Sequence, residues 1–319
     1  MSTDSFPPQS LPAAAASAPS AVRRATAIGG LAILMWSTLA LLTALSGTIP
    51  PFQLVAMSFG VAFIIGTAAG AARGKDVIGV LRQPWRVWLL GVAGLFGYHF
   101  FYFLAFRLAP GAAVEVNLLN YLWPLLIVLF SALLPGERLK RGHVLGALCG
   151  LAGTVLIVTG GARGLSLDAG DTPGYLSAMV AAVLWASYSV LSRRFGDVPT
   201  EAVGGFCLAT AVLAGLSHLL FETTVAPSGG EWLAVLAMGV GPVGAAFFVW
   251  DHGVKRGDIR ALGVLSYGTP LTSTLLLILF GQAAGGGPSG RPARSSWPAP
   301  CWPAAICCAA IGRALNWGA

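Results

Sequence analysis

Charge is what this sequence has least of. Only 10% of its 319 residues are charged, where a soluble globular chain carries about 25%, so a water-soluble domain with a solvated surface is excluded. Cysteine chemistry is missing too: Cys149, Cys207, Cys301, Cys307 and Cys308 form no CxxC pair and no metal-ligand spacing. Cys149 and Cys207 therefore read as small apolar packing residues. The four histidines are scattered and no acidic motif recurs. An integral-membrane enzyme would need paired carboxylates, a His-rich metal set or a nucleophile with its base, so no catalytic residue, metal or cofactor is expected. Residues 1–22 have neither an apolar core nor a basic start. They fail as a signal peptide and read, with Arg23 and Arg24, as a disordered tail over 1–24.

What the chain has instead is apolar length. Hydrophobic residues make up 56% and mean hydropathy is +0.76. A helix needs about 20 apolar residues to cross a bilayer, and that criterion predicts spans near 25–46, 52–72, 87–108, 112–134, 143–161, 173–193, 201–221, 231–252 and 259–281. The fold expected is an all-α polytopic membrane protein. A net charge of +7 would suggest nucleic acid in a soluble chain; here its placement matters more. With the N-terminus inside, Arg23, Arg24, Arg73, Lys75, Arg82, Arg86, Arg138, Lys140, Arg141, Arg193, Arg194, Lys255, Arg256 and Arg260 all fall in cytoplasmic segments, against Arg107 and Arg163 outside. The positive-inside rule then sets a cytoplasmic N-terminus.

The sequence also repeats. Leu119-Asn120-Tyr121-Leu122-Trp123-Pro124-Leu125 matches Leu265-Ser266-Tyr267-Gly268-Thr269-Pro270-Leu271 at a shift of about 146, and Gly29, Ala32, Trp36, Ala40 and Thr43 match Ala178, Ala181, Trp185, Ser189 and Ser192 at about 149. Five helices per copy is odd, so the second copy must enter the membrane upside down. Two inverted five-helix repeats are expected, over 25–161 and 173–282. Such repeats commonly place a transport site at their interface. After Gln282 the pattern fails. Residues 283–319 are rich in proline, cysteine and tryptophan, and Trp297 to Leu315 would make a poor tenth helix. An out-of-frame read or altered terminus in place of a normal tenth helix is the expectation there.

Polar groups inside hydrocarbon are costly and normally face a cavity or a neighbouring helix. They concentrate between Gly94 and Arg141. On an ideal helix of 100° per residue, Asn117, Asn120, Tyr121, Trp123 and Pro124 share one broad face, and Glu115 lies on the other side. Asn117, Asn120, Tyr121 and Trp123 are taken to line a cavity, the alternative for the two aromatics being interhelical packing or an interfacial belt. Tyr267 is the repeat counterpart of Tyr121 and is counted with them. Tyr98 and Tyr102 share the aromatic face of the third span with Phe101, and His99 sits at its margin. His99 reads either as a proton carrier or as a hydrogen-bonded packing group. Pro124 and Pro270 each remove a helical bond to a carbonyl four residues back, on Asn120 and Ser266. That carbonyl is either a ligand acceptor or part of a kink, which could serve as a hinge. Glu115 is read as the one carboxylate well inside a span, favoured near a helix start by the dipole. Trp36 is expected to pack, and Gly239 to Gly244 to interrupt the eighth span.

The two-fold repeat, the mid-helix prolines Pro124 and Pro270 and the Pro135-Gly136-Glu137-Arg138 corner resemble the EamA family of the drug/metabolite transporter superfamily, over roughly residues 25–282. Asn120-Tyr121-Leu122-Trp123-Pro124, the aromatic third span and Trp185 are most similar to the aromatic amino acid exporters within it. The resemblance implies ten helices, both termini cytoplasmic, a central cavity that Trp185 helps to line, and export from a bacterial inner membrane. The function expected is export of amino acids, biased to aromatic or bulky apolar ones, by alternating access and as a uniporter. The partners expected are the amino acid and the lipid bilayer, with no nucleic acid. A different metabolite or drug in the same family, with proton coupling, is the alternative; a membrane enzyme is the alternative from another class.

Overall fold

Helix starts and stops follow local chemistry. In the computed structural model, which describes residues 18–135, 139–159 and 167–280, Pro51 opens one helix after the extended Pro50, since proline lacks only a donor that the first turn cannot use. Ser228 and Glu231 form a reciprocal capping box at another. The Asp258 carboxylate accepts the backbone N–H of Arg260 and Ala261 at a third. Burial pushes the Asp258 carboxyl up, but the Arg260 guanidinium and these two donors outweigh it and hold it below the usual carboxylate range.

Nine helices among the described residues are long and apolar enough to cross a membrane. We number them α1 (Pro19–Leu45), α2 (Pro51–Ala72), α3 (Trp85–Leu108), α4 (Ala113–Ser131), α5 (Arg141–Thr159), α6 (Ala169–Phe195), α7 (Ala202–Phe221), α8 (Gly229–Arg256) and α9 (Ile259–Leu279). Each overlaps a span expected from hydropathy, but α1 begins at Pro19, so residues 19–24, expected as part of a disordered tail, are helical. The tail from 283 onward, the 1–17 segment, Arg163 and the Gly136-Glu137-Arg138 corner lie outside the described residues.

Packing pairs α1 with α8, α2 with α7, α3 with α6, and α4 with both α6 and α9. Small residues allow the closest of these contacts. A side chain at Gly29 would bring its Cβ to 2.9 Å from the Gly253 Cα, so α1 and α8 meet almost backbone to backbone. A buried cluster runs through the middle of the bundle, including Ile33, Trp36, Phe59, Trp123, Trp185, Phe206, Phe247 and Trp250.

The helices are irregular at matched depths. α3 widens into a π turn at Ala93–Gly97 and α8 into another at Gly241–Ala245. α4 breaks between Asn120 and Trp123, and α9 between Leu265 and Gly268. The spacing of these pairs is close to the shifts found in the sequence repeat. α1 is interrupted at Ser37 and Thr38, where the Ser37 hydroxyl donates to the Ile33 carbonyl and the Thr38 hydroxyl to the Met35 carbonyl. Such back-bonding bends helices.

The glycine contact is testable. Gly29→Val adds volume where α1 touches α8, and overpacking of this kind costs about 1–3 kcal/mol. The melting temperature of the purified variant should fall measurably below that of Gly30→Val, because a Cβ at Gly30 meets nothing within 4 Å. Equal melting temperatures would show that the contact tolerates a side chain.

Candidate functional site

Residues of α1, α2, α3, α4, α6, α8 and α9 surround one cavity of about 740 Å³, within the range that holds small ligands, and those of α4 and α8 come partly from their irregular segments. Trp36, Trp123, Trp185 and Phe247 come together at its apolar end. Trp36 and Trp185 meet edge to face with centroids 5.5 Å apart, Trp36 and Trp123 at 6.2 Å, and Trp123 and Trp185 at 6.3 Å. Aromatic pairs favour this geometry. Trp250 packs against the same group, 5.0 Å from Trp36, and donates its indole N–H to the Ser189 hydroxyl at 3.0 Å. The π turn in α8 matters here: the Pro242 carbonyl that it presents accepts the Trp36 indole N–H at 3.0 Å. Trp36, expected to pack, therefore packs and lines the cavity at once.

The side wall comes from α3 and α4. Tyr98 and Tyr102, four residues apart, stack with centroids 5.8 Å apart and rings 7° from parallel. Each reaches across to an asparagine. The Tyr102 hydroxyl donates to Asn117 Oδ1 at 2.6 Å, and Asn120 Nδ2 donates to the Tyr98 hydroxyl at 3.2 Å. His99 Nδ1 donates to the Leu95 carbonyl at 2.7 Å, and its ring stands edge-on to Phe59 at 5.2 Å. Tyr98, His99, Tyr102, Asn117, Asn120, Tyr121, Trp123 and Trp185 all line this one cavity.

Tyr267 does not join them. It is 1% exposed and packs with Val128, Ala147 and Val264, and its hydroxyl accepts the Leu125 backbone N–H at 3.2 Å. It thus ties the break in α9 to the turn after the break in α4. At the α9 break the Ser266 carbonyl accepts the Thr269 N–H at 3.1 Å, so a tightened turn takes up the acceptor that Pro270 would leave open. Pro124 and Pro270 are both buried beside these breaks.

Among the described residues no Lys, Arg, Asp or Glu lines the cavity, whose other polar lining comes from Thr43, Ser58, Thr269 and Ser273. Ser58 Oγ, Asn120 Oδ1 and Thr269 Oγ1 are buried with no hydrogen-bond partner among the described residues, and each such group costs about 1–3 kcal/mol unless water or a ligand satisfies it. Ser58 and Thr269 carried no signal in the sequence beyond a hydroxyl among apolar neighbours. Glu115 is not part of the lining.

The cavity lining reaches one end of the bundle, where α1 passes into α2 and α3 into α4. Thr43, Ile49, Pro51, Phe106 and Asn117 mark its mouth, beside a shallower pocket of about 300 Å³ that includes Arg107 and Glu222. Toward the opposite, basic end of the helices lies a buried ion pair, Asp251 to Lys255 at 2.9 Å, with side chains only 2% and 5% exposed. The Thr200 hydroxyl donates to Asp251 at 2.7 Å and Lys255 donates to the Val198 carbonyl at 3.0 Å. Arg193 donates to the Val254 and Gly257 carbonyls. This corrects the reading of Glu115 as the one carboxylate well inside a span. α8 runs on to Arg256, which carries Asp251 inside, and hydropathy had ended that span at 252.

Residues 25–159 and 172–284 match the EamA-like transporter family. The chain belongs to this family. It is 60% identical over 266 residues to the aromatic amino acid exporter YddG of Ancylobacter novellus, covering 83% of this chain and 91% of that one. Identity to the aromatic amino acid exporters YddG of Salmonella typhimurium and Escherichia coli is 29% and 28%, over 81% and 80% of this chain and 89% and 87% of theirs. A solved crystal structure at 56% identity superposes with a TM-score of 0.80, covering 92% of this chain and 95% of its own.

Breaking a buried pair by removing one partner strands a charge and costs about 3–5 kcal/mol, whereas removing both is often neutral. Lys255→Met should therefore lower the melting temperature sharply, and Asp251→Asn combined with Lys255→Met should restore most of the loss. Additive losses in the double variant would show that the two charges do not depend on each other.

Proposed function

We propose that this protein is a carrier that exports aromatic and bulky apolar amino acids across a bacterial inner membrane by alternating access. The observation that carries the reading is the cavity itself: indoles and phenols around about 740 Å³ with amides and hydroxyls but no charged side chain among the described residues. An aromatic side chain gains area and stacking there. A zwitterion carries no net charge, so it needs no counter-ion from the wall. The family membership and the printed activity of the 60% identical relative support the same substrate class. A polyamine or cationic drug would call for cavity carboxylates, and a phosphorylated sugar for lysine or arginine.

The orientation we infer places the basic ends of the helices in the cytoplasm. The mouth beside Pro51 and Phe106 then faces outward, and the Asp251–Lys255 pair seals the cytoplasmic side. Two inverted repeats over 25–161 and 173–282 account for the matched breaks in α4 and α9 and the matched π turns in α3 and α8. Alternation is the rocking of one repeat against the other, with the breaks before Pro124 and Pro270 as hinges.

We read the transport as uniport. Glu115 lies away from the cavity, and the His99 Nδ1 is engaged by the Leu95 carbonyl between Phe59 and Tyr98. No carboxylate among the described residues is poised to meet both substrate and proton. Efflux from loaded cells tests both halves of this reading. Trp123→Ala and Tyr121→Ala each remove an aromatic contact worth about 0.5–1.5 kcal/mol beyond area, so the preference for phenylalanine over alanine should fall roughly 2- to 12-fold. Efflux should respond little to an imposed pH gradient, and Glu115→Gln should retain most activity. Equal losses for both amino acids, or accumulation against the gradient driven by protons alone and abolished in Glu115→Gln or His99→Ala, would defeat the corresponding half.

A further inference from the structure

The apolar end of the cavity explains how an aromatic ring is held and leaves the rest of an amino acid unexplained. We infer that Ser58, Asn120 and Thr269 form the subsite for the α-ammonium and α-carboxylate, and that Ser58 and Thr269 decide whether the carrier accepts an amino acid or its decarboxylated amine. This rests on the aromatic amino acid reading above and adds a head-group position to it.

Three observations converge. First, Ser58 Oγ, Asn120 Oδ1 and Thr269 Oγ1 are buried and lack a hydrogen-bond partner among the described residues, and all three residues line this cavity. The bonds that could have absorbed them are directed elsewhere: the Asn120 amide nitrogen donates to the Tyr98 hydroxyl, which fixes its oxygen as the free atom. Second, they sit well below the mouth end of three different helices. At 1.5 Å per residue, Ser58 and Asn120 each lie about 10 Å below the mouth end of α2 and α4, and Thr269 about 15 Å below that of α9. Third, Thr269 occupies the place in the second repeat that Trp123 holds in the first. One half of the molecule thus presents an indole where the other presents a hydroxyl, with the Ser273 hydroxyl one turn further on the same lining. The pseudo-symmetric cavity is chemically lopsided, as a molecule with one ring and one polar head requires.

The donor and acceptor types assign the contacts. The Asn120 carbonyl oxygen accepts only, so it takes an ammonium N–H. The Ser58 and Thr269 hydroxyls donate, so they take the carboxylate oxygens. With no charged side chain among the described residues of the lining, the two ligand charges compensate each other, and a lone ammonium or lone carboxylate enters without that compensation.

The test is competition for labelled phenylalanine counterflow in proteoliposomes, with phenylalanine and phenethylamine as competitors, in the wild type, Ser58→Ala, Thr269→Val and Thr269→Ser. A hydrogen bond to a charged group that is lost should raise the KM for phenylalanine about tenfold or more in Thr269→Val and Ser58→Ala. The apparent affinity for phenethylamine, which has no carboxylate, should stay within about twofold of the wild type. Thr269→Ser keeps the hydroxyl and should behave like the wild type, which separates the hydrogen bond from packing. An unchanged KM in Thr269→Val and Ser58→Ala, or parallel losses for phenylalanine and phenethylamine, would overturn the subsite while leaving aromatic amino acid transport intact. A wild type that does not exchange phenylalanine would overturn the export reading and this one with it.

Discussion

Hydrocarbon offers no hydrogen-bond partner, so every polar group at the depth of the bilayer must find one within the protein or in a cavity. The structure can be followed outward from that constraint. At the α9 break before Pro270 a tightened turn takes up the Ser266 carbonyl, and just past the α4 break the Tyr267 hydroxyl takes up the Leu125 N–H. Where α8 opens at Gly241–Ala245, the buried Pro242 carbonyl is capped by the Trp36 indole. The Tyr98–Asn120 and Tyr102–Asn117 bonds pair off four further side chains between α3 and α4. Ser58, Asn120 and Thr269 each keep an oxygen without a partner among the described residues, and all three residues line the cavity, which makes it a place where a polar ligand is welcome.

The two ends of the bundle treat charge differently for the same reason. Asp251 and Lys255 are nearly sealed from solvent and have each other, Thr200 and the Val198 carbonyl. At the open end, Glu222 is held by the backbone N–H of Phe52 and Gln53 at the start of α2 and by His218, where the helix dipole favours an acid. A carrier of uncharged zwitterions can keep its ions at the ends and leave the path between them neutral.

The fold was legible in the sequence because hydrocarbon imposes long apolar runs, and nine such runs map onto nine helices among the described residues. The face shared by Asn117, Asn120, Tyr121 and Trp123 was legible because helical geometry carries through one turn on either side of the break. Tyr267 shows where this fails. Its repeat position equals that of Tyr121, yet the break in α9 turns it toward α5 and α4 and away from the cavity. Ser58 and Thr269 were illegible because a hydroxyl in a helix ordinarily bonds its own backbone, as Ser266 and Thr274 do. Only the packed structure shows which hydroxyls do not. Asp251 escaped notice because charge marks a span's end in hydropathy, and a buried ion pair lets the helix run past it.

The central claim is that an aromatic, uncharged cavity selects aromatic zwitterions. Counterflow of a labelled panel into proteoliposomes containing the purified wild-type protein tests it most directly. The account predicts rapid exchange of phenylalanine, tyrosine and tryptophan, slower exchange of alanine, and none of lysine, glutamate or a polyamine. Exchange of a polyamine or a sugar phosphate in preference to the aromatic amino acids would contradict it.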